Sequence, residues 1–226
     1  MNCSGMKSKS QIVAALLVIL IIGSLTILAY TSERDAMADA VKMGLKSTAG
    51  VMATQIQPSD IASLKPGDEN TPEYTAVVRK LQTMRSMDDH ILNAYILKVN
   101  PDGTITFLVD DLYPDDPQGS APIGEVSTVP DKMDILAALS MPTTSDAPYT
   151  TKYGSFMTAY APIDDASYDS EGNTYAVLAV DVSAHDYENF TTRGTYIILS
   201  GLISMILAVG AIFWFGNSRR KEEKNE

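Results

Sequence analysis

The chain has 226 residues, of which 28 are acidic and 17 basic, and its formal net charge is −11 at pH 7. Such a polyanion is a poor partner for nucleic acid or anionic lipid, because like charges repel. The single cysteine, Cys3, excludes a disulfide framework.

The first predicted element is the apolar run IVAALLVILIIGSLTILAY, residues 12–30. Its length matches the roughly 20 helical residues that cross a hydrocarbon layer of about 30 Å, and we expect an uncleaved membrane helix. A cleaved signal peptide is the alternative, since Lys7 and Lys9 precede the run. However, the run exceeds the roughly 7 to 15 apolar residues of a signal peptide, and bulky Leu28 and Tyr30 stand where cleavage requires small residues.

A second uncharged run, TYIILSGLISMILAVGAIFWF, covers residues 195–215 and predicts a second membrane helix. Basic residues flank the pair, before the first run and again at 219–221. Because basic residues favour the cytoplasmic side, we predict a two-pass protein of the plasma membrane. Both tails, 1–11 and 216–226, are then cytoplasmic.

We predict that residues 31–194 form one extracytoplasmic domain. This segment has 25 acidic and 11 basic residues, a net charge of −14. It opens with a long helix over 32–56 that continues out of the membrane and carries one apolar stripe. The stripe consists of Met37, Val41, Leu45, Val51 or Met52, and Ile56. Pro58 is expected to end this helix, a short helix follows at PSDIASL, and Thr71 and Pro72 begin another.

The apolar pattern then changes from helical to alternating. ILNAYILKV and TITFLVD, joined by the turn NPDG, predict a hairpin over 91–110. After an irregular loop, a helix is expected over 131–140. A second hairpin is predicted from the strands SFMTAYAPI and TYAVLAVDVSA, joined by DDASYDSEGN. A helix leading into the second apolar run is predicted from HDYENFTTRG. An antiparallel sheet with helices beside it is an α+β fold.

These strands resemble a known family. The resemblance is carried by ILNAYILKVNPDGTITFLVDD, YTTKYGSFMTAYAPIDD and EGNTYAVLAVDVSA. Set between two predicted membrane helices, the segment that contains them resembles the extracytoplasmic Cache sensor domains of membrane histidine kinases, chemoreceptors and diguanylate cyclases. The resemblance spans 32–189 and is most specific at 153–154, at 160–163 and at the strand ending in Asp181. It implies a single Cache domain with a PAS-like antiparallel sheet, a small ligand between sheet and loops, and a homodimer packed through the long helix.

The family pattern leaves the ligand class open. Cache domains that bind amino acids use an Arg and a Trp near the ligand carboxylate and an Asp at its amino group. Here the only tryptophan, Trp214, lies in the second apolar run, and Asp181 alone matches that pattern. The ligand is therefore expected among organic acids, amines and amino acids.

Seven residues are candidates for binding this ligand: Tyr95, Asp110, Tyr113, Tyr149, Tyr153, Tyr160 and Asp181. A tyrosine offers a flat apolar face and one hydroxyl, which suits a small polar ligand, although strand tyrosines also pack in cores. Alternation places Asp181 on the face of Val177 and Ala179, and Tyr95 on the face of Ile91, Asn93 and Leu97. A carboxylate at the end of an apolar strand is costly to bury unless it is paired or holds a ligand cation. Its alternative role is structural, either to cap the helix that follows or to pair with nearby groups of the fold.

The sequence carries no H-E-x-x-H pair, G-x-S-x-G elbow, Walker A loop or Cys/His cluster. We therefore expect neither an enzyme nor a cofactor. The acidic loop DDLYPDD, 110–116, offers carboxylates, but its prolines interrupt the spacing of a calcium loop, so no metal site is expected.

The predicted function is that of a membrane-anchored sensor that binds a small ligand outside the cell and passes a conformational signal across the membrane. The tail at 216–226 is too short to fold into an output domain. The signal is therefore expected to pass to a separate kinase or chemoreceptor-type protein. The alternatives are a membrane-tethered ligand-binding or scaffold subunit, and a truncated receptor or histidine kinase without its output module.

Overall fold

The computed structural model describes residues 3–130, 132–163, 175–192 and 194–222. They form two compact units, Ala38–Phe190 and the pair Met1–Met37 with Thr191–Glu226. The described helices are α1 (Cys3–Ala53), α2 (Pro58–Ile61), α3 (Pro72–Arg85), α4 (Lys132–Ala137), α5 (Ala184–Thr191) and α6 (Thr195–Glu222). The described strands are β1 (Ile91–Val99), β2 (Ile105–Asp110), β3 (Thr143–Thr144), β4 (Tyr149–Thr151), β5 (Gly154–Pro162) and β6 (Tyr175–Ser183).

The unit Ala38–Phe190 is built on one antiparallel sheet. The strand order is β2-β1-β6-β5-β3, and β4 also pairs with β5. Both predicted hairpins are present as antiparallel pairs, β1 with β2 and β5 with β6, and pairing of β1 with β6 joins them into one sheet. The turn predicted between β5 and β6 lies outside the described residues. The predicted α+β class, with a long N-terminal helix, is confirmed.

Each face of the sheet carries its own apolar core. On β6, Ala176, Leu178 and Val180 pack in a cluster with residues of α1, α2 and α3. Val177 and Ala179 lie in a second cluster, which also contains residues of β1, β2 and α4. The strand alternates between the two clusters because successive side chains point to opposite faces. Helices therefore cover one face, and α4 with the loops covers the other.

The outer part of α1 packs on the sheet through one stripe. Leu45 and Met52 are buried, as is Ile56 just after the helix, whereas Val51 is 63% exposed, so the buried member of the predicted Val51/Met52 alternative is Met52. The helix ends at residue 53, a little before the predicted stop at Pro58.

The start of α3 follows the predicted capping pattern. The Tyr74 N–H donates to Thr71 Oγ1 at 3.3 Å, and Pro72 occupies the first turn, where its missing N–H leaves no helical hydrogen bond unmade.

One predicted strand face is wrong. Ile91 lies in the core on the helix-covered face, not on the face of Tyr95. The pairing of β1 with β6 shifts register between Ile91 and Asn93, and such an irregularity reverses the alternation on one side of it. Asn93 keeps its expected place beside Tyr95.

Two helical segments are long and apolar enough to cross a membrane, Lys9–Ala53 and Ala184–Ser218, and most of each lies in the second unit. They run antiparallel, since Gln11 lies near Gly216 and Thr26 lies near Gly201. A Cβ on Gly201 would come within 2.2 Å of Thr26 Oγ1, so only glycine allows this approach. Small residues permit such close packing between membrane helices.

Candidate functional site

A small cavity lies on the sheet face that α4 and the loops cover. Its volume is about 30 Å³, room for about one water molecule and far less than the roughly 300 Å³ at which typical ligand pockets begin. The buried residues Tyr95, Phe107, Asp110 and Asp181 contribute to its wall, while Ser127–Val129 and Tyr153 are more exposed and form its rim. The sheet thus supplies a fixed floor and the loops supply the mouth.

The Asp181 carboxylate is buried and is held by neutral donors from two neighbouring strands. Its Oδ1 accepts hydrogen bonds from Thr158 Oγ1 at 2.6 Å and from the Tyr95 hydroxyl at 3.2 Å. Its Oδ2 accepts from Asn93 Nδ2 at 3.3 Å. The central position of β6, between β1 and β5, explains the arrangement, because Asn93 and Thr158 are the direct cross-strand partners of Asp181.

Burial raises the pKa of Asp181 from its usual 3.8 to about 7, although the hydrogen bonds from Thr158, Asn93 and Tyr95 favour the charged form. Burial also raises the pKa of Tyr95 well above its usual value, and the Asp181 charge adds to this. The tyrosine hydroxyl is therefore a proton donor at physiological pH. The carboxyl group, in contrast, changes between neutral and charged forms near pH 7.

A short chain of hydroxyl groups continues from Asp181 along β5 and β4. The Tyr149 hydroxyl lies 2.6 Å from Thr158 Oγ1 and 3.3 Å from the Tyr160 hydroxyl. Burial is the main reason that the pKa of Tyr149 is raised. These hydroxyls fix the orientation of Thr158, and Thr158 in turn orients the carboxylate.

Asp110, at the end of β2, anchors the loop beside the cavity. Its Oδ1 accepts from the Leu112 N–H and its Oδ2 from the Ala121 N–H, both at 3.0 Å. Burial raises the pKa of Asp110 to about 6, while these two hydrogen bonds oppose the rise. Asp110 is also the cross-strand partner of Tyr95, so both buried carboxylates adjoin the same tyrosine.

The rim is held by Tyr153 and two charged residues. The Tyr153 hydroxyl donates to Glu125 Oε1 at 2.5 Å, and Lys152 Nζ lies 3.0 Å from the same oxygen. Lys152 Nζ also lies 4.7 Å from the centre of the Tyr153 ring. This ring meets Phe107 edge-on at a centroid distance of 6.3 Å. Rotation of Tyr153 would break these contacts and widen the mouth.

Of the seven candidate residues, Tyr95, Asp110, Tyr149, Tyr153 and Asp181 line the cavity. Tyr160 is fully buried behind the cavity, and its hydroxyl is hydrogen-bonded to that of Tyr149, which lines the cavity. Tyr113 is not among the lining residues; it lies in the loop after β2, where its N–H donates to the Asp110 carbonyl. The structure therefore gathers five candidates around one cavity and separates Tyr113 from it.

Several neighbours of the cavity were missed from the sequence. Strand alternation did place Asn93 on the face of Tyr95, but Asn93 was not among the binding candidates. Thr158 lies two positions before Tyr160 on the same strand face, so alternation could have found it as well. Phe107 lies on the partner strand and could have been found in the same way. Ser127–Val129 and Glu125 have no such signal, because their position depends on how the loop returns to the sheet.

The capping role considered for Asp181 belongs to another residue. The helix after β6 starts at Ala184, and the Asp186 N–H donates to Ser183 Oγ at 3.4 Å. A hydroxyl that accepts from the third helical residue is the usual N-cap arrangement. Asp181 instead directs its carboxylate to side chains of the sheet.

The site offers hydrogen-bond acceptors, hydroxyl groups and aromatic rings, which suits binding of a small molecule. Within the described ranges, no cluster of three or more His, Cys, Asp or Glu side chains could hold a metal ion.

No protein-family profile and no functionally characterised protein matches the sequence. Among solved structures, an extracellular ligand-binding receptor from Desulfohalobium retbaense aligns over 74% of this chain and 27% of its own, with 11% identity and a TM-score of 0.47. This chain thus spans about a quarter of that receptor. The sensor domain of DcuS from E. coli aligns over 70% of this chain and 97% of its own, with 15% identity and a TM-score of 0.35. Both scores lie below 0.5, so neither likeness assigns a family or a ligand.

Proposed function

We propose that the protein is a membrane-anchored sensor of the Cache type, whose extracytoplasmic domain binds a small ligand in the cavity over Asp181. The observation that carries this proposal is the buried Asp181 carboxylate, which three neutral donors hold inside a cavity. A charge buried among neutral donors is costly to maintain. Perturbed carboxyl groups of this kind cluster at binding and catalytic sites, because a ligand or substrate can repay their burial.

The signal would leave the cavity along β6. Asp181 lies two residues before the end of this strand, α5 follows at Ala184, and α6 begins four residues after α5 ends. A ligand that moves Asp181 would therefore act on a continuous chain leading to the second apolar helix. Displacements of an ångström or two are sufficient in other switches of this kind.

The membrane placement rests on the two apolar helices and on the flanking charges. Because α1 and α6 are antiparallel, the start of one and the end of the other lie on the same side. The basic residues there favour the cytoplasm. The domain between them would then be extracytoplasmic, and a separate kinase or chemoreceptor-type protein would receive the signal.

The functional assembly in this proposal is a parallel homodimer. The outward side of α1 between 40 and 54 is exposed and uncharged. It consists of Ala40, Met43, Gly44, Ser47, Val51 and Thr54. In a Cys3→Ser background, Ser47→Cys should form a disulfide dimer in membranes. Lys46→Cys, turned by about 100° around the helix, should form much less. Equal crosslinking at both positions would argue against this interface.

The ligand-binding proposal is tested by hydrogen exchange on the full chain in detergent, with a panel of small amines, carboxylic acids and amino acids. At least one compound should slow exchange in the rim segments 125–129 and 149–153 and alter it in α5. Asp181→Asn should lose both effects. Protection of the rim without any change in α5 would favour the alternative of a tethered binding subunit. No change with any compound would refute ligand binding at this cavity.

A further inference from the structure

The charged side chains in the described lining of the cavity are all acidic. Its described lining includes the carboxylates of Asp110 and Asp181 but no lysine, arginine or histidine. The cation at the rim, Lys152, is 59% exposed and already paired with Glu125. A ligand carboxylate entering this cavity would therefore meet two acidic groups and no opposite charge. Like charges brought together in a buried site repel strongly.

The two carboxylates retain the capacity to accept more hydrogen bonds. A carboxylate offers about four acceptor positions on its two oxygens. Asp181 uses three of them, for Thr158, Tyr95 and Asn93. Asp110 uses two, for backbone N–H groups. An ammonium group carries three N–H donors and no acceptor, so its bonding pattern complements what the carboxylates leave open.

Aromatic rings complete the environment that a cation requires. The Tyr95 and Phe107 rings lie 5.3 Å apart, and Phe107 also contacts Tyr153. Cations bind favourably over the faces of such rings. Lys152 shows this at the rim, where its ammonium group lies over the Tyr153 ring.

We propose that the cavity binds a small organic amine in its ammonium form, with no carboxylate on the same molecule. The ammonium group sits beside Asp181 and within reach of Asp110, and the organic part extends toward the rim. This inference rests on the proposed ligand-binding function and narrows its ligand class. Organic acids and amino acids are excluded because nothing in the described lining neutralises their carboxylate.

The size of the cavity sets a condition on binding. About 30 Å³ accommodates an ammonium-sized group but not an alkyl chain. The alkyl chain of the amine can be accommodated when Tyr153 leaves Glu125, because Tyr153 lies at the rim, where it is only half-buried. Binding therefore opens the mouth while the sheet floor stays in place.

Isothermal titration calorimetry on the full chain in detergent micelles, at pH 8 and constant ionic strength, tests the ligand class. The probes are methylammonium, propylammonium and tetramethylammonium chloride, sodium acetate and propionate, and the zwitterion β-alanine. At least one ammonium compound should bind at least tenfold more tightly than every carboxylate and than β-alanine. Asp181→Asn should weaken its binding at least tenfold, whereas Glu73→Gln, which removes an exposed carboxylate on α3, should leave it within twofold.

The outcomes separate the ligand class from the proposed function. Tighter binding of acetate, propionate or β-alanine would overturn the amine and leave ligand binding intact. Failure of every probe to bind would overturn the amine proposal, and the wider hydrogen-exchange panel would then decide whether the cavity binds any ligand. Unchanged amine binding by Asp181→Asn would overturn the placement of the ammonium group. If titration with sodium chloride gives the same binding heats as the ammonium chlorides, the cavity accepts any small cation, and this would also overturn the proposal.

The dependence of binding on pH gives a second test. The ammonium group pairs with the ionised carboxylates, and the titratable groups that interact with Asp181 are Asp110, Tyr95 and Tyr149. Since Asp181 ionises near pH 7 and Asp110 near pH 6, the amine affinity should rise at least tenfold between pH 5 and pH 7. It should then change less than about twofold between pH 8 and pH 9. A flat profile from pH 5 to pH 7 would contradict the pairing.

Discussion

Replacing Asp181 by asparagine should stabilise the domain at alkaline pH. The folded protein holds the Asp181 proton up to about pH 7, whereas the unfolded chain releases it near its usual pKa of 3.8. The resulting stability is fully present below about pH 4 and is lost as the pH rises through 7. Each pKa unit corresponds to about 1.4 kcal/mol, so the ionised carboxylate costs at most about 4 kcal/mol at pH 8.

Asparagine avoids this cost because it stays neutral at every pH. Its Oδ1 can accept from Thr158 and Tyr95 as the carboxylate does, and rotation of the Asn93 amide presents an oxygen to the new NH₂ group. Allowing for imperfect replacement of these hydrogen bonds, we expect a net gain of about 2 kcal/mol at pH 8. For a domain of this size that corresponds to about 4–8 °C in Tm. The gain should shrink by about 3 kcal/mol, and so vanish or reverse, at pH 4.5.

Thermal unfolding of the full chain in detergent, followed by circular dichroism at pH 4.5 and pH 8, measures this difference. Glu73→Gln serves as the control and should shift Tm by less than about 1 °C at either pH, since surface substitutions have small effects. Suppose that Asp181→Asn has a lower Tm than the parent protein at pH 8 and that its Tm depends on pH as that of the parent does. Asp181 would then be ionised and well paired in the fold. The reasoning about its burial would then be wrong.

Two further predictions concern the ion pair beside the sheet and the topology. Asp111 is fully buried and receives a hydrogen bond from Arg85 Nε at 2.5 Å. Arg85→Met should destabilise the domain by about 2 kcal/mol, because it leaves a buried carboxylate without its cation. The same thermal unfolding experiments measure this loss. A stability equal to that of the parent would show that the pair is dispensable. In intact cells, a membrane-impermeant maleimide should label Gln118→Cys in a Cys3→Ser background but should not label Cys3 of the unaltered chain. Labelling of Cys3 but not of Gln118→Cys would show that the topology is the opposite of the one proposed.

Local sequence signals were sufficient for most of the fold. The two hairpins follow from alternating strands, and in the first the turn NPDG marks the junction. Alternation also placed Asp181, Val177 and Ala179 on one face of β6. The face of Ile91 was wrong because the irregularity before Asn93 has no counterpart in the residue pattern.

The remaining parts depend on contacts between distant segments. β3 and β4 have two and three residues and exist only by pairing with β5, so no local period reveals them. The loops that carry Glu125 and Tyr113 are placed by hydrogen bonds to the sheet rather than by their own pattern. The neutral donors around Asp181 come from β1 and β5, which explains why the sequence could not separate a capping role from a cavity role.

The central claim, that the cavity controls the membrane helices, is tested most directly by disulfide formation between Glu33→Cys and Tyr196→Cys in a Cys3→Ser background. These two side chains are in contact between α1 and α6, where the Tyr196 hydroxyl donates a hydrogen bond to Glu33. In bilayers, saturating propylammonium chloride should change the rate of oxidative crosslinking at least twofold, and Asp181→Asn should abolish this change. An unchanged rate, in a preparation where calorimetry shows the amine bound, would contradict signal transmission through α6.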